Sequence, residues 1–203
     1  MREIRRARFI METSRDVAAR FIKSRAFMDV LEAIAKRSCY RGEFNDVPVP
    51  REILVQILEA GILAPSGCNQ QTTSFIAVDD PEIVAKIAEI LPTPACKTAK
   101  AMIVCIADDR AVYGDISFYK EDCAAAVQNM LLALTSFGYS SVWLDGVLRR
   151  NNVAQHIAEI LEVPRNKRVQ VLLPIGAPAA SAPKSTRFPF EKRASFNKWG
   201  DQE

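Results

Sequence analysis

The 203-residue chain contains a single histidine, and this scarcity excludes several kinds of catalytic site. Metal centres built from several histidines are excluded, and only His156 could serve as the base of a serine or cysteine triad. Ala154, Ile157 and Leu161 mark the buried side of the helix that contains this histidine. Because His156 lies off that face, we expect an ordinary surface residue, and we expect no metal site.

Glycine pairs and long apolar runs are also absent. None of the eight glycines belongs to a Gly-x-Gly pair, so there is neither a Rossmann fingerprint nor a P-loop. The longest apolar run, residues 101–107, is much shorter than the ~18 to 20 residues of a membrane-spanning helix. The five cysteines are odd in number and form no Cys-x-x-Cys pair, and no secretory pattern is present. With 49% hydrophobic residues, the chain is expected to form a soluble globular domain in the reducing cytoplasm.

Positive charge is concentrated at the N-terminus. Residues 1–25 contain eight Lys or Arg and three Asp or Glu, whereas the whole chain has a net charge of only +3. We therefore divide the chain into a basic helical arm, residues 1–25, and a main domain, residues 26–203. The arm is expected to pack one face on the body or on a partner. Binding of nucleic acid and a role as a transit peptide are the less favoured alternatives.

Helical and strand patterns alternate in the main domain. The predicted strands are residues 74–78, 101–107, 140–144 and 169–175. The predicted helices include one with an apolar stripe that ends at a capping glycine, Gly61, one over residues 81–91, and a long one from about Glu121 to Gly138. In the long helix the residues expected to face the core are Ala124, Ala125, Leu131, Leu134 and Phe137. The alternation alone would favour a parallel, doubly wound sheet.

Two short polar clusters interrupt these patterns. The first, here called the arginine cluster, is Arg37-Ser38-Cys39-Tyr40-Arg41, and its two guanidiniums suit phosphate oxygens. The second, the amide loop, is residues 65–71 with the sequence Pro-Ser-Gly-Cys-Asn-Gln-Gln. Its hydroxyl and carboxamides suit the edge of a planar heterocycle. Taken alone, the arginine cluster could be a solvated helix end and the amide loop an ordinary polar loop. Together they predict a nucleotide-like cofactor with an anionic tail.

The order and spacing of the two clusters resemble the FMN-dependent nitroreductase family. The family pattern Arg-x-Ser-x-Arg/Lys matches at Arg37, Cys39 and Arg41, with cysteine in place of the usual serine. The pattern Pro-Ser-x-x-Asn-x-Gln matches at Pro65, Ser66, Asn69 and Gln71. Segments 143–146, 173–178 and 187–193 are similar too. The resemblance implies an α+β fold, a three-layer α/β/α sandwich with a mixed, largely antiparallel central sheet.

The resemblance also implies which residues bind the cofactor. In such a homodimer the FMN site is shared, and the amide loop comes from the other protomer. Asp145-Gly146 follows a strand, and the family places this glycine's amide near flavin N5. The implied FMN ligands are Arg37, Arg41 and Arg193 at the phosphate, Ser38 and Cys39 at the ribityl or ring edge, Pro65, Ser66, Asn69 and Gln71 from the amide loop, and Asp145 and Gly146.

The implied activity is electron transfer from NADH or NADPH to nitroaromatic, quinone or similar oxidised acceptors by a ping-pong cycle. No acid/base pair is required, because the cofactor supplies the hydride chemistry. Reductive dehalogenation, flavin fragmentation and a non-catalytic flavin sensor or store remain alternatives. Tyr113, Phe118 and Tyr119 could cover the substrate, although packing onto the body is favoured. A nucleophilic Cys39 or Cys68 is disfavoured, since no base or resolving cysteine has matching spacing.

Overall fold

The computed structural model describes residues 28–182 and 185–200, so the predicted basic arm lies outside the described residues. The helices are α1 (Val30–Lys36), α2 (Arg51–Ile62), α3 (Pro81–Ile90), α4 (Pro94–Thr98), α5 (Tyr119–Ser136) and α6 (Val153–Ile160). The strands are β1 (Thr73–Val78), β2 (Ala101–Ala107), β3 (Ser140–Ser141) and β4 (Arg168–Gly176). Two 3₁₀ turns, Gly67–Asn69 and Phe190–Lys192, complete these elements.

The four strands form one sheet in the order β1-β2-β4-β3, and every neighbouring pair is antiparallel. Beyond β3 the chain adds a single parallel bridge between Cys39 and Ser141. The expectation of a mixed, largely antiparallel sheet is therefore confirmed, and the parallel arrangement favoured by the alternation alone is wrong. Hydrophobic periodicity reports which face of a strand is buried but carries no information about strand direction.

Helices cover both faces of the sheet, as the resemblance implies. Because successive side chains of a strand point to opposite faces, Met102 and Val104 of β2 pack with α3 and α6, whereas Ile103 and Cys105 pack with α2 and α5. Both faces of β2 are buried along its whole length. The three-layer α/β/α prediction is thus confirmed. None of the helices described is long and apolar enough to cross a bilayer.

Several local predictions require correction. Gly61 lies inside α2 and does not cap it, since the helix continues to Ile62. A Cβ at this position would lie 2.1 Å from Cε of Met130, so the glycine permits the close approach of α2 and α5. Ala124 and Ala125 are only half-buried. Instead Cys123, Ala126, Val127 and Met130 form the inner face of α5.

The third strand is shorter than predicted. Regular pairing covers Ser140 and Ser141 only, and contact with β4 resumes at Leu144. There the N–H of Leu144 donates to the carbonyl of Leu172 at 3.0 Å, and the N–H of Leu172 donates back at 2.9 Å. The chain therefore follows the outer edge of β4 up to the turn that contains Asp145 and Gly146.

Candidate functional site

Helix α1 delivers the arginine cluster to the outer edge of the sheet. The Asp29 carboxylate caps α1 by accepting the N–H groups of Leu31 and Glu32 at 2.9 and 3.3 Å. The helix ends at Lys36, and the following residues become extended. The N–H of Tyr40 then donates to the carbonyl of Ser141 at 2.9 Å. Main-chain pairing with β3 thus fixes where the cluster lies.

The guanidiniums of the cluster remain available for a ligand. Tyr40 is buried, and its hydroxyl donates to the carbonyl of Glu43 at 2.7 Å and accepts the N–H of Ala180 at 3.2 Å. Arg41 is exposed, and within the described ranges neither it nor Arg37 forms an ion pair. Nη1 of Arg37 donates a long hydrogen bond to Sγ of Cys39, at 4.0 Å. Two unneutralised cations therefore lie four residues apart.

A polar cavity of about 130 Å³ adjoins this cluster. Its lining includes Arg37, the half-buried Ser38 and the buried Ser141. The Ser141 hydroxyl has no hydrogen-bond partner among the described residues. A buried hydroxyl without a partner is unfavourable in a finished structure, so this region offers both charge and an unused polar atom to a bound anion.

The amide loop has a strained and well-anchored backbone. Cys68, Asn69 and Gln71 have φ values of 51°, 53° and 48°, in the left-handed region, which non-glycine residues seldom adopt. The N–H of Gln71 donates to Oγ of Ser66 at 3.0 Å. Strained backbone persists only where the surroundings over-determine it. The backbone that carries the loop's exposed carboxamides is therefore held in one conformation.

Asp122 supplies that anchoring, and the sequence analysis missed it. Its carboxylate, only 4% exposed, accepts the N–H of Gly67 at 2.8 Å and the hydroxyl of Thr72 at 2.5 Å. Acidic residues in the first turn of a helix are ordinarily explained by the helix dipole. Nothing in the sequence therefore distinguishes Asp122 from any other carboxylate of that kind. The partners lie 50 and 55 residues earlier in the chain, a contact that spacing cannot reveal.

The aromatic residues before α5 mostly pack onto the body. A Cβ at Gly67 would lie 2.3 Å from Cδ2 of Phe118, so this ring rests directly on the amide loop. Tyr119 is half-buried against the core. Tyr113 is 64% exposed. Packing onto the body, the favoured use, is therefore confirmed for Phe118 and Tyr119.

The turn after the Leu144 bridge leaves open space around Gly146. A Cβ there would have no heavy atom within 4 Å, and φ is not in the left-handed region. Neither packing nor backbone geometry therefore requires a glycine at position 146. Because Gly146 has no side chain, a ligand can approach its main-chain amide closely. The carboxylate of Asp145 is engaged by Arg149 at 2.6 and 2.8 Å. This hydrogen bond and charge raise the pKa of Arg149.

The remaining candidates are Arg193, His156 and the cysteines. Arg193 follows the second 3₁₀ turn; its N–H donates to Phe190 at 2.9 Å, and its exposed guanidinium pairs with no carboxylate among the described residues. Its role at the phosphate stays a prediction. His156 is exposed on α6, as expected. All five cysteines are free thiols. Over the described ranges no group of three His, Cys, Asp or Glu could hold a metal ion.

The two clusters occupy diagonally opposite corners of the sheet. Cys39 bridges Ser141, which pairs with Ile175 of β4, whereas Thr73, next to the amide loop, is in register with Ala107 and thus with Arg168. The corners are therefore separated by about 24 Å along β4 and about 19 Å across the strands. Gly146 lies on the same outer edge as the arginine cluster, whereas the amide loop leads into β1, the strand at the opposite edge.

Similarity to known proteins identifies the family of this chain. The Nitroreductase family profile matches residues 34–95 and 94–177. A Methanothermobacter thermautotrophicus protein, provisionally named an NADH dehydrogenase/NAD(P)H nitroreductase, is 32% identical over 85% of this chain and 88% of its own length. The Bacillus subtilis FMN reductase [NAD(P)H] is 29% identical over 80% of this chain and 71% of its own. An FMN-dependent nitroreductase of Clostridium difficile superposes with a TM-score of 0.71 at 27% identity, covering 83% and 99% of the two chains. The chain belongs to the nitroreductase family.

Proposed function

We propose that this protein is an FMN-dependent oxidoreductase that passes electrons from NADH or NADPH to nitroaromatic, quinone or similar oxidised acceptors. The observation that carries the proposal is the outer edge of the sheet, where Arg37 and the Ser141 hydroxyl line one cavity and Arg41 lies four residues on. Among the described residues neither guanidinium has an ionic partner, and the hydroxyl has no hydrogen-bond partner. Two guanidiniums can form charge-assisted hydrogen bonds to a phosphate monoester. The names of two relatives, an FMN reductase and an FMN-dependent nitroreductase, agree with this choice of cofactor.

Residues of this chain would fix the cofactor's position along that edge. Arg37 and Arg41 bind the phosphate, Arg193 adds a third cation, and Ser38 and Cys39 lie beside the ribityl chain. Gly146 offers a main-chain amide in open space to the ring. When bound, FMN supplies the hydride and electron transfer chemistry. The protein then contributes position, charge and a shielded face.

The amide loop would complete the site of a second protomer. It leads into β1, the strand at the edge of the sheet opposite the one that carries the arginine cluster and Gly146, and this separation supports a site built from two chains. A two-fold dimer can bring the two corners together. Ser66 of the partner subunit, Asn69 of the partner subunit and Gln71 of the partner subunit would then border the ring. Donor and acceptor would use the one remaining open face in turn, which gives a ping-pong cycle.

The test begins with the identity of the cofactor. The purified protein, reconstituted with a mixture of FMN and FAD, is expected to release FMN on denaturation, as measured by chromatography. FAD lacks the terminal monoester that the arginine cluster suits. Release of FAD, or of no flavin, would contradict the proposal.

The second stage tests turnover. Under anaerobic conditions NADH or NADPH should bleach the flavin absorbance, and 4-nitrobenzyl alcohol or a benzoquinone should restore it over many cycles. A donor that bleaches the flavin without reoxidation by either acceptor, or no bleaching at all, would indicate a flavin-binding sensor or store.

A further inference from the structure

A second cavity lies directly beside the Gly146 turn. Its volume is about 340 Å³, and its lining includes Tyr119, Lys120, Asp145, Arg149, Arg168 and Gln170. Cavities that hold small molecules start at roughly 300 Å³, so the space suits one small organic group. Asp145 lines this cavity and directly precedes Gly146, beside which the flavin ring is proposed to lie. A substrate that reacts at the ring would therefore extend into the cavity.

The charged groups of this cavity are mostly cationic. Lys120, Arg149 and Arg168 line it together with a single carboxylate, that of Asp145. Arg149 is neutralised by Asp145, and Arg168 pairs with Asp109 outside the lining. Lys120 forms no ion pair with any described residue. Of the three cations that line the cavity, Lys120 is therefore the one whose charge can pair with a ligand.

One aromatic ring lies close to two of these cations. The guanidinium of Arg168 lies 5.2 Å from the centroid of the Tyr119 ring, and the ammonium of Lys120 lies 5.7 Å from it. Such contacts at the protein surface are weak. They hold both cations near the cavity without neutralising either.

Helix stability does not explain Lys120. It is the second residue of α5, and a cation in the first turn of a helix is disfavoured by the helix dipole. Glu121 and Asp122 follow the ordinary preference for acidic residues there. A lysine that opposes the dipole, has no carboxylate partner and lines a cavity is more easily understood as a ligand-binding group.

We propose that this cavity binds the anionic end, a carboxylate or a phosphate, of a substrate whose reacting part lies at the Gly146 turn, and that Lys120 is its principal contact. The inference rests on the proposed function and adds a preference for charged substrates. The anion could come from the phosphate that distinguishes NADPH from NADH, or from a carboxylate on the acceptor. Arg149 and Arg168 are already paired with Asp145 and Asp109 and would add little net attraction.

The experiment compares charged and neutral members of matched substrate pairs with the FMN-loaded protein. Stopped-flow absorbance measures flavin reduction by NADPH and by NADH, and separately reoxidation by 4-nitrobenzoate and by 4-nitrobenzyl alcohol. The variants are Lys120→Gln, the conservative Lys120→Arg, and Arg165→Gln as a control. Arg165 is an exposed cation outside the cavity lining.

In the wild type we expect the charged member of at least one pair to react with a second-order rate constant about tenfold above the neutral one, a preference that falls at high salt. Lys120→Gln should abolish most of this preference while the neutral substrates change less than about twofold. Lys120→Arg and Arg165→Gln should retain it. Preference confined to the donors identifies the phosphate, and preference confined to the acceptors identifies the carboxylate.

Two results would overturn the inference. One is equal reactivity of charged and neutral members in the wild type, and the other is an equal loss of preference in Lys120→Gln and Arg165→Gln. Either can occur while the flavin is still reduced and reoxidised, so the proposed function would stand. Absence of bound flavin or of any reduction would instead contradict the proposed function itself.

Discussion

The arginine cluster and the amide loop serve one predicted site but are held in opposite ways. The arginine cluster depends on main-chain pairing with β3, and its two guanidiniums have no ionic partner among the described residues. The amide loop has three left-handed residues and a buried carboxylate beneath it. An anion needs accessible charge, whereas a ring edge needs donors and acceptors in fixed directions. The guanidiniums of the arginine cluster are therefore left accessible, whereas the backbone of the amide loop is held in place.

The largest expected effect is the recovery of flavin binding and turnover when defects in the two regions are placed on different chains of one dimer. Arg37→Ala and Asn69→Ala chains are mixed, unfolded and refolded together, and assayed at an FMN concentration low enough that neither homodimer retains flavin. In a heterodimer with shared sites both lesions fall in one site and the other is intact. We therefore expect flavin binding and about half of the wild-type turnover per dimer to return.

The control for this mixture is each variant refolded alone. Recovery has to scale with the amount of heterodimer, isolated by two different affinity tags. If a verified heterodimer remained inactive, each site would have to be built from a single chain, and the opposite-corner interpretation would fail.

The next largest effect concerns the support of the amide loop. Asp122→Ala leaves the Gly67 N–H and the Thr72 hydroxyl without their charged acceptor. We expect the free energy of unfolding to fall by about 3 kcal/mol, and flavin affinity to fall with it because the carboxamides lose their orientation. Urea unfolding of the flavin-free protein measures the first effect, and flavin titration the second.

The matched control is Glu121→Ala, which removes the neighbouring carboxylate of the same helical turn. Glu121 is exposed, so its loss should change the unfolding free energy by no more than about 0.5 kcal/mol. Equal effects of the two substitutions would show that Asp122 acts only through the helix dipole.

A smaller effect is expected at the arginine cluster, and on binding only. Arg37→Ala or Arg41→Ala should each weaken FMN affinity by about 1.5 to 3 kcal/mol, with little change in stability because no internal ion pair is lost. Cys39→Ser should bind FMN nearly as well as the wild type, since serine is the family's usual residue there. Fluorescence titration gives the three affinities. Loss of turnover in Cys39→Ser with the flavin still bound would instead indicate a chemical role for the thiol.

The comparison also separates what the sequence can and cannot predict. Arg37, Arg41 and Gly146 are predicted as cofactor ligands because their chemistry is local and their order matches a family pattern. β2 was predicted with its observed bounds, since a strand buried on both faces reads as an uninterrupted apolar run. The antiparallel direction of the sheet came from the resemblance and not from periodicity.

Features that depend on long-range contacts were missed or misread. Gly61 resembled a helix cap because glycine is common there, and only the approach of Met130 from α5 explains its place inside α2. Asp122 resembled an ordinary first-turn carboxylate until Gly67 and Thr72 were seen to bind it. The distance between the two corners likewise follows from strand order, which no local motif encodes.

The smallest expected effect is on stability, and it concerns Arg110 and Asp108, which support the amide loop from its outer side. Arg110 donates to the carbonyl of Gln70 at 3.0 Å and to the carboxylate of Asp108 at 2.7 Å. The hydrogen bond from Lys167, followed by that from the N–H of Arg110, lowers the pKa of Asp108 to about 2. The stability from this lowered pKa is complete above the unfolded value of about 3.9 and is lost as the pH falls towards 2.

Asp108→Asn should therefore lower the unfolding free energy at pH 7 by less than about 1 kcal/mol, because the ion pairs lie near the surface. The difference from the wild type should shrink as the pH falls from 4 to 2, where the wild-type carboxylate becomes protonated too. Urea unfolding at several pH values measures it, with Asp115→Asn as the control, because Asp115 is exposed and forms no ion pair with the described residues. A difference that stays constant from pH 5 to pH 2 would mean that the charge of Asp108 does not stabilise this side of the loop, and that Asp122 supports it alone.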